Sequence, residues 1–371
     1  MSGTSLDAID GVLAEFSPSG THPQTLAHAS VALPAVLREE LLALNTSSHD
    51  ELHRAAQVAN ALADLSAQVV DTLLRAAPQL ARHDVMAIGS HGQTVRHQPQ
   101  AGYTLQLNAP ARLAENTGIA VVADFRSRDV AAGGQGAPLV PAFHQAVFGA
   151  SVPRVVLNLG GIANISVLPP GGAVTGFDTG PANVLLDLWC RRHTGQSYDI
   201  GGQFAAAGRV RPALLDFLLA SEPWLGAPPP KSTGRDLFHA AWLDTRLQDF
   251  TARAGTALSA ADVQATLVAF TARTVADAVS AGMAVHGHAG GHGEMYVCGG
   301  GAANPVLMKA LADCLPGYVV QTTDVLGVPA QQVEALAFAW LAHAHVQRLP
   351  GNLPAVTGAR GPRILGAYYP A

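Results

Sequence analysis

Met1-Ser2-Gly3-Thr4-Ser5-Leu6-Asp7-Ala8-Ile9-Asp10-Gly11 runs straight into Val12-Leu13-Ala14-Glu15-Phe16. Small hydroxyl residues, glycines and two carboxylates lead into an apolar run that reads as a strand. Glycine lets a backbone turn tightly and come close to a ligand, so such a turn offers N–H and hydroxyl donors to an anion. Asp7 and Asp10 repel a bare phosphate. They suit a phosphate carrying Mg²⁺, or a hydroxyl that must lose its proton. A polar hairpin turn is the plainer reading of the same residues. The order strand, Gly-rich turn, strand returns at residues 154–168 around Gly160-Gly161, a weak sign of internal duplication.

At 371 residues the chain exceeds one small core, so two domains are expected. Its 49 % hydrophobic and 13 % charged residues describe a globular protein with large buried surfaces. A net charge of −5 leaves no basic stripe to displace counterions, which argues against nucleic acid as the main partner. Cys190, Cys298 and Cys314 are too scattered for a disulfide scaffold or a zinc site, and read as reduced core thiols of a cytoplasmic protein. The chain does not open on a basic stretch followed by an apolar one. Nor does any uninterrupted apolar run approach about 18 residues, so neither secretion nor a membrane span is expected.

Strands and helices alternate throughout, which predicts an α/β protein. Strands are expected near residues 26–33, 85–89, 103–107, 119–123, 154–159, 164–168 and 295–298. Helices are expected over 34–45, 50–77, 259–282 and 329–349, with others starting near 181 and 304. The second of these carries Leu52, Ala55, Val58, Leu62, Leu65, Val69 and Leu73 at helical spacing, a core-facing stripe. Ser259 is a candidate N-cap. Between Asp124 and Gly136 the composition turns to Arg, Asp and Gly, which marks a domain boundary. Residues 1–127 then form an N-terminal α/β domain, with 340–371 packing back on it. Residues 128–339 form the second domain.

Four polar, Gly-rich clusters fall at strand ends: residues 3–10, 158–164, 176–183 and 299–304. Ligands of open α/β sheets gather at such ends. One Gly-Gly turn is commonly structural; four with Asn or Asp at their edges exceed what turns alone require. Asp178 falls where a strand should hand over to a helix, followed by Thr179-Gly180-Pro181. A carboxylate beside N–H groups at a helix start suits proton removal near phosphate charge. An N-cap is the equal alternative. Gly226 to Thr233 has the outline of a phosphate loop. However, Pro230 stands where a Walker A requires glycine before Lys231, and prolines remove the N–H donors. It reads as an ordered loop, with Arg235 and Asp236 near a cleft at most. His286, His288 and His292 lie in a glycine-filled stretch without Cys, a solvated loop rather than a metal site. Gly299-Gly300-Gly301 lacks the G-x-G-x-x-G spacing of a nicotinamide site. Glu334 is a carboxylate on an otherwise apolar helix, facing either solvent or a cleft.

Read in order, the motifs at 1–7, 90–94 (Ser-His-Gly-Gln-Thr), Asp124-Phe125-Arg126, 158–164, 176–181, 230–235 and 299–301 resemble one family over essentially the whole chain. That family is the anhydro-N-acetylmuramic acid kinases, within the sugar kinase, heat-shock ATPase and actin superfamily. The resemblance implies two ribonuclease-H-like α/β domains flanking an ATP cleft, as in actin-like ATPases. It implies an enzyme that uses ATP, with Mg²⁺, to convert 1,6-anhydro-N-acetylmuramic acid and water to N-acetylmuramic acid 6-phosphate and ADP. The setting is cell-wall sugar recycling in the cytoplasm, by a homodimer. Asp178 becomes the base that activates water. Gly3, Thr4, Ser5, Leu6, Asp7, Ala8, Ile9 and Asp10, with Asn158, Gly160 and Gly161, take the phosphates and Mg²⁺. Gly299, Gly300, Gly301 and Asn304 lie on the nucleotide side, without a separate protein metal site. His91, Gln93, Thr94, Asp124, Arg126 and Glu334 take the sugar, with Arg126 matched to the lactyl carboxylate by two parallel hydrogen bonds. A simple hexose or amino-sugar 6-kinase of the same fold, or a non-catalytic nucleotide-binding relative, is the alternative. In two places the chain departs from the family pattern. The family carries a strand ahead of its Met-Ser-Gly-Thr, so a start upstream of Met1 is expected. Ala8 replaces a glycine, at a cost of about 1 kcal/mol if that position needs positive φ.

Overall fold

A computed structural model describes residues 1–2, 6–21, 23–229, 231–234, 237–255, 258–287 and 292–371. Gly3, Thr4 and Ser5, together with Arg235, Asp236 and His288, lie outside the described residues. The chain forms two compact units, Met1–Val147 with Gln332–Ala371, and Phe148–Gln331.

In the first unit, β1 (Ala8–Glu15) and β2 (Gln24–Ala32) form an antiparallel hairpin. Strand β1 starts earlier than expected, taking in Ala8, Ile9 and Asp10. Ala8 therefore carries no positive φ, and the strain expected there does not arise. Leu6 is the residue with a positive φ, of 57°. The helix Glu51–Ala76 covers the hairpin through Val58, Leu62, Val69 and Leu73, as its periodicity predicts. Gly11 permits the close approach: a Cβ there would stand 2.4 Å from a Val69 methyl. Leu52 leaves the predicted stripe. It is 90 % exposed, in the helix's first turn.

Strand β3 (Ile88–Ser90) pairs parallel with β6 (Val121–Ala123), and β6 pairs antiparallel with the C-terminal strand Ala367–Tyr369. Between them, β4 (Gln93–Gln98) and β5 (Tyr103–Leu107) form a separate hairpin. The unit extends past residue 127 to Val147, because the polar stretch at the expected boundary is folded inward. Asp129 is fully buried and bonded to Asn352 and Thr357, and the ring of Phe143 meets Trp340 edge-on at 6.2 Å. The chain rejoins this unit at Gln332 rather than 340, since the whole helix Val333–Val346 packs here through Leu336, Phe338 and Leu341.

The second unit is a five-stranded sheet. Strands β7 (Arg154–Leu159), β8 (Ile162–Leu168) and β9 (Thr175–Pro181) form an antiparallel meander. Strand β10 (Gly293–Cys298) then lies parallel to β7, and β11 (Tyr318–Thr322) parallel to β10. The spatial order β11-β10-β7-β8-β9 is that of a ribonuclease-H-like sheet. Val155, Val156 and Leu157 are wholly buried, the continuous apolar run of a strand covered on both faces. The helix Ala260–Val285, capped by the Ser259 hydroxyl accepting from the Asp262 N–H, lies in this core. It is long and apolar enough to cross a membrane, yet Val263, Leu267, Phe270, Val275 and Val279 are buried within the unit.

Gly89 of β3 sits against the helix Val333–Val346, where a Cβ would stand 2.2 Å from the Phe338 carbonyl oxygen. Backbone cannot yield as a side chain can. Gly89→Ala should lower stability by about 2–3 kcal/mol, the cost of overpacking, as measured by urea denaturation; an unchanged midpoint would contradict this packing.

Candidate active site

The register of the second unit lines up polar residues across four strands. Cys298 of β10 is opposite Asn158 of β7, Asn158 is opposite Asn164 of β8, and Asn164 is opposite Asp178 of β9. Directly opposed residues of neighbouring strands project from the same face. Asn158, Asn164 and Asp178 therefore form one half-buried polar row, spanning roughly 10 Å at the usual strand spacing. Among the described residues the Asn164 amide makes no hydrogen bond, so its donors and acceptor are open to a ligand.

Glycine turns flank the row. Gly299 has φ 83°, and a Cβ on it would meet the Asn158 side-chain oxygen at 2.4 Å. A Cβ on Gly301 would fall 2.7 Å from the Leu159 side chain. The 299–301 turn thus needs glycine for its close approach to the end of β7. The Gly160 and Gly161 carbonyls accept from the N–H groups of Asn183, and of Ala182 and Val184, respectively. The N–H groups before and at the start of the helix Asn183–Thr194 are therefore already occupied, and Asp178 lies inside β9 rather than at the strand-to-helix junction. This corrects the expectation of free donors beside Asp178 and removes its N-cap reading. Asn304 caps the helix Pro305–Cys314, its side-chain oxygen accepting from Val306 and Leu307 N–H at 3.1 and 3.2 Å.

Asp178 is held by the loop that follows Pro230. Its N–H donates to the Lys231 carbonyl at 3.2 Å, and its Oδ2 accepts from the Thr233 N–H at 2.9 Å. Burial pushes the carboxyl up to about 6, against the opposing pull of the Thr233 N–H and the Lys231 charge. Lys231 Nζ donates to the Leu225 carbonyl at 2.7 Å and lies 4.5 Å from the centre of the Trp224 ring. Burial lowers the pKa of this ammonium, and Asp178 opposes the shift. Trp224 is fixed in turn by Glu222, which accepts from the Trp224 N–H and from the Trp242 indole. Sequence reasoning passes over Lys231 and Thr233 as part of a false phosphate loop. The signal available is their place in the 230–235 motif.

In the first unit, Arg126 is the centre of a second cluster. Its Nε donates to His91 Nε2 at 3.0 Å, and Nη1 donates to the Gly136 carbonyl at 2.8 Å. Among the described residues Nη2 makes no hydrogen bond. His91 is buried, and burial together with Arg126 holds its pKa well below the usual histidine value. The ring is neutral, so with Nε2 accepting, Nδ1–H donates to the Gly92 carbonyl at 2.8 Å. Burial brings the Arg126 guanidinium down to about 10, with Glu334 and Asp129 opposing. It remains charged at neutral pH. Glu334 and Phe338, one helical turn apart, share a face. The Phe338 ring lies 4.5 Å from His91 and 5.9 Å from the guanidinium. Glu334 keeps solvent access, yet the protein packed around it raises its carboxyl, and Arg126 pulls it back down.

The other expected sugar contacts have partners of their own. Gln93 is buried and accepts from the Ser2 hydroxyl at 2.6 Å. Thr94 accepts from the Gln106 amide at 3.2 Å. Asp124 is exposed, with φ 56°, and accepts from the Ser127 N–H at 3.4 Å. Asp7 and Asp10 flank the start of β1, with Arg38 Nη1 3.5 Å from the Asp7 carboxylate and His28 Nε2 3.9 Å from that of Asp10. Among the described residues no group of three or more His, Cys, Asp or Glu side chains is gathered to hold a metal ion.

A model of the family described as anhydro-N-acetylmuramic acid kinase matches residues 1–371. The chain belongs to this family. A member named anhydro-N-acetylmuramic acid kinase from Bordetella petrii is 63 % identical, over all of this chain and 95 % of its own length. Another so named, from Cupriavidus pinatubonensis, is 56 % identical over all of this chain and 97 % of its own. Among solved structures, an activator of 2-hydroxyisocaproyl-CoA dehydratase from Clostridium difficile covers 92 % of each chain at 12 % identity and a TM-score of 0.42, a likeness too distant to inform the chemistry.

The electrostatics of this family member's Asp178 can be tested directly. Lys231→Met removes a positive charge that favours the carboxylate, so the Asp178 pKa should move above about 6. Carboxyl ¹³C NMR titration reads this shift; a downward one would contradict the placement of Lys231.

Proposed function

We propose that this chain transfers the γ-phosphoryl group of ATP to O6 of 1,6-anhydro-N-acetylmuramic acid while water opens the anhydro bridge. The products are N-acetylmuramic acid 6-phosphate and ADP. The observation that carries the reading is Asp178: a half-buried carboxyl with a pKa near 6, steadied by one N–H and a nearby ammonium. At pH 7 it is mostly ionised, yet basic enough to accept a proton, the balance required of a general base.

In this scheme Asp178 takes a proton from the water that attacks the anomeric carbon. The C1–O6 bond breaks as the new C1–O bond forms, and the departing O6 takes the γ-phosphoryl group in line as ADP leaves. The negative charge developing on O6 is relieved by phosphoryl transfer, so no strong acid is needed to expel it. Asn158 with the turns at Gly160, Gly161 and Gly299 to Gly301 binds the nucleotide, and Asn304 holds the last of these turns in place. Asn164, between Asn158 and Asp178 in the row, orients the reacting groups. The Asp7 and Asp10 carboxylates are all-oxygen donors, which fits a hard cation that arrives on ATP and keeps most of its water. When bound, Mg²⁺ neutralises phosphate charge. Arg126, Glu334, Thr94 and Asp124 bind the sugar. The free Nη edge of Arg126 receives the lactyl carboxylate, with His91 holding the guanidinium, and Gln93 supports the site. A cytoplasmic location follows from the substrates.

Reaction in ¹⁸O-water tests the scheme: label at C1 of the product is expected, and its absence would exclude hydrolytic opening in favour of a plain sugar 6-kinase. Because the base must be deprotonated, kcat should rise with pH through about 6 and then level. Asp178→Asn should lower kcat by about 10²–10⁴ and abolish that acid limb. Unchanged ADP release with the anhydro sugar would remove Asp178 from the role.

A further inference from the structure

Arg126 is held in place by a residue that no ligand can touch. The Asp129 side chain is wholly buried, and three donors converge on its two oxygens. Gly136 N–H donates to Oδ2 at 2.7 Å, while Asn352 Nδ2 and the Thr357 hydroxyl donate to Oδ1 at 2.6 and 2.8 Å. Gly136 is also the residue whose carbonyl accepts from Arg126 Nη1. One peptide unit removed from the carboxyl, then, lies the acceptor that sets the guanidinium's angle.

The loop between them is wrapped tightly around the Asp129 carboxyl. A Cβ on Gly134 would stand 2.2 Å from Oδ2, and Gly134 N–H donates to the Asp129 carbonyl at 2.9 Å. The C-terminal segment closes the arrangement: Gln135 N–H donates to the Thr357 carbonyl at 2.7 Å, and Arg360 N–H to the Ala132 carbonyl at 2.9 Å. Asn352 is itself fixed, its oxygen accepting from the Arg363 N–H at 2.6 Å. Every donor that Asp129 satisfies is thus tied either to the loop carrying Gly136 or to the segment that clamps it.

We infer that Asp129, with Asn352 and Thr357, is a positioning residue for Arg126 and thereby sets this enzyme's preference for a sugar bearing a carboxylate side chain. The inference rests on the assignment of Arg126 to the lactyl carboxylate. With Nε held by His91 and Nη1 by Gly136, only the outer edge of the guanidinium is left for a ligand, and a bidentate pair tolerates little rotation. Asp129→Asn keeps the shape but sets an NH₂ group against one of three donors, which loosens Gly136 and lets Arg126 turn. A misplacement near 1 Å at such a contact costs up to about 10²-fold.

The test compares 1,6-anhydro-N-acetylmuramic acid with 1,6-anhydro-N-acetylglucosamine, which lacks the lactyl group, in steady-state assays of the full-length enzyme. For Asp129→Asn the expected result is a rise of roughly tenfold or more in KM for the lactyl sugar. The KM for ATP should stay within about twofold, and the preference between the two sugars should shrink. In an Arg126→Ala background the same substitution should have no further effect on preference. Thr357→Val, which removes a single donor, should give the same selective change to a smaller degree and serves where Asp129→Asn does not fold. Equal losses toward ATP and both sugars, or an intact preference in both variants, would overturn the inference. Arg126→Ala retaining the lactyl preference would instead overturn the assignment on which it rests, and the inference with it.

Discussion

The register of β7, β8 and β9 constrains the rest of the second unit. Because opposed residues of neighbouring strands share a face, Asn158, Asn164 and Asp178 must emerge together, and a slip of one residue would turn each to the other side of the sheet. The buried apolar residues that alternate with them on β8 and β9, such as Ile165 and Phe177, fix that register: slipping would carry them out of the core. Apolar packing thus decides where the polar chemistry stands. The Gly160-Gly161 and Gly299-Gly300-Gly301 turns belong to the same constraint, since β7 and β10 run parallel and end side by side.

The first unit solves a different problem, a guanidinium surrounded by protein. A buried charge is tolerated only where hydrogen bonds and opposite charge replace the lost water. Arg126 has His91 and Gly136 as acceptors, the Phe338 face as packing, and Glu334 and Asp129 as opposing charge. These partners come from three separate stretches of sequence. His91 must stay neutral to accept, and both burial and the adjacent guanidinium keep it so. The guanidinium thereby helps to keep neutral the ring that accepts from it.

Much of this is legible in the amino-acid sequence. The helix over residues 50–77 and the cap at Ser259 follow from periodicity and local hydrogen bonding, which neighbouring residues alone set. The glycines at 299 and 301 announce close backbone approach, although not what approaches. Other readings fail for identifiable reasons. The Arg, Asp and Gly composition of residues 124–136 reads as a boundary, whereas its one wholly buried carboxyl draws the segment into the first unit. Local sequence also offers Asp178 as an N-cap, while sheet pairing carries β9 on to Pro181.

The sequence by itself determined the α/β class, the family and the residue types capable of the chemistry, because these are written in local pattern and motif order. Only the tertiary structure decided that Asn164 aligns with Asp178, that Lys231 and Thr233 hold Asp178, and that the Asp129 carboxylate meets Asn352 and Thr357. Those relations join residues 14 to more than 200 positions apart in the chain. Strand register, burial and the hydrogen bonds of closed loops create them, and none of these is a property of neighbouring residues.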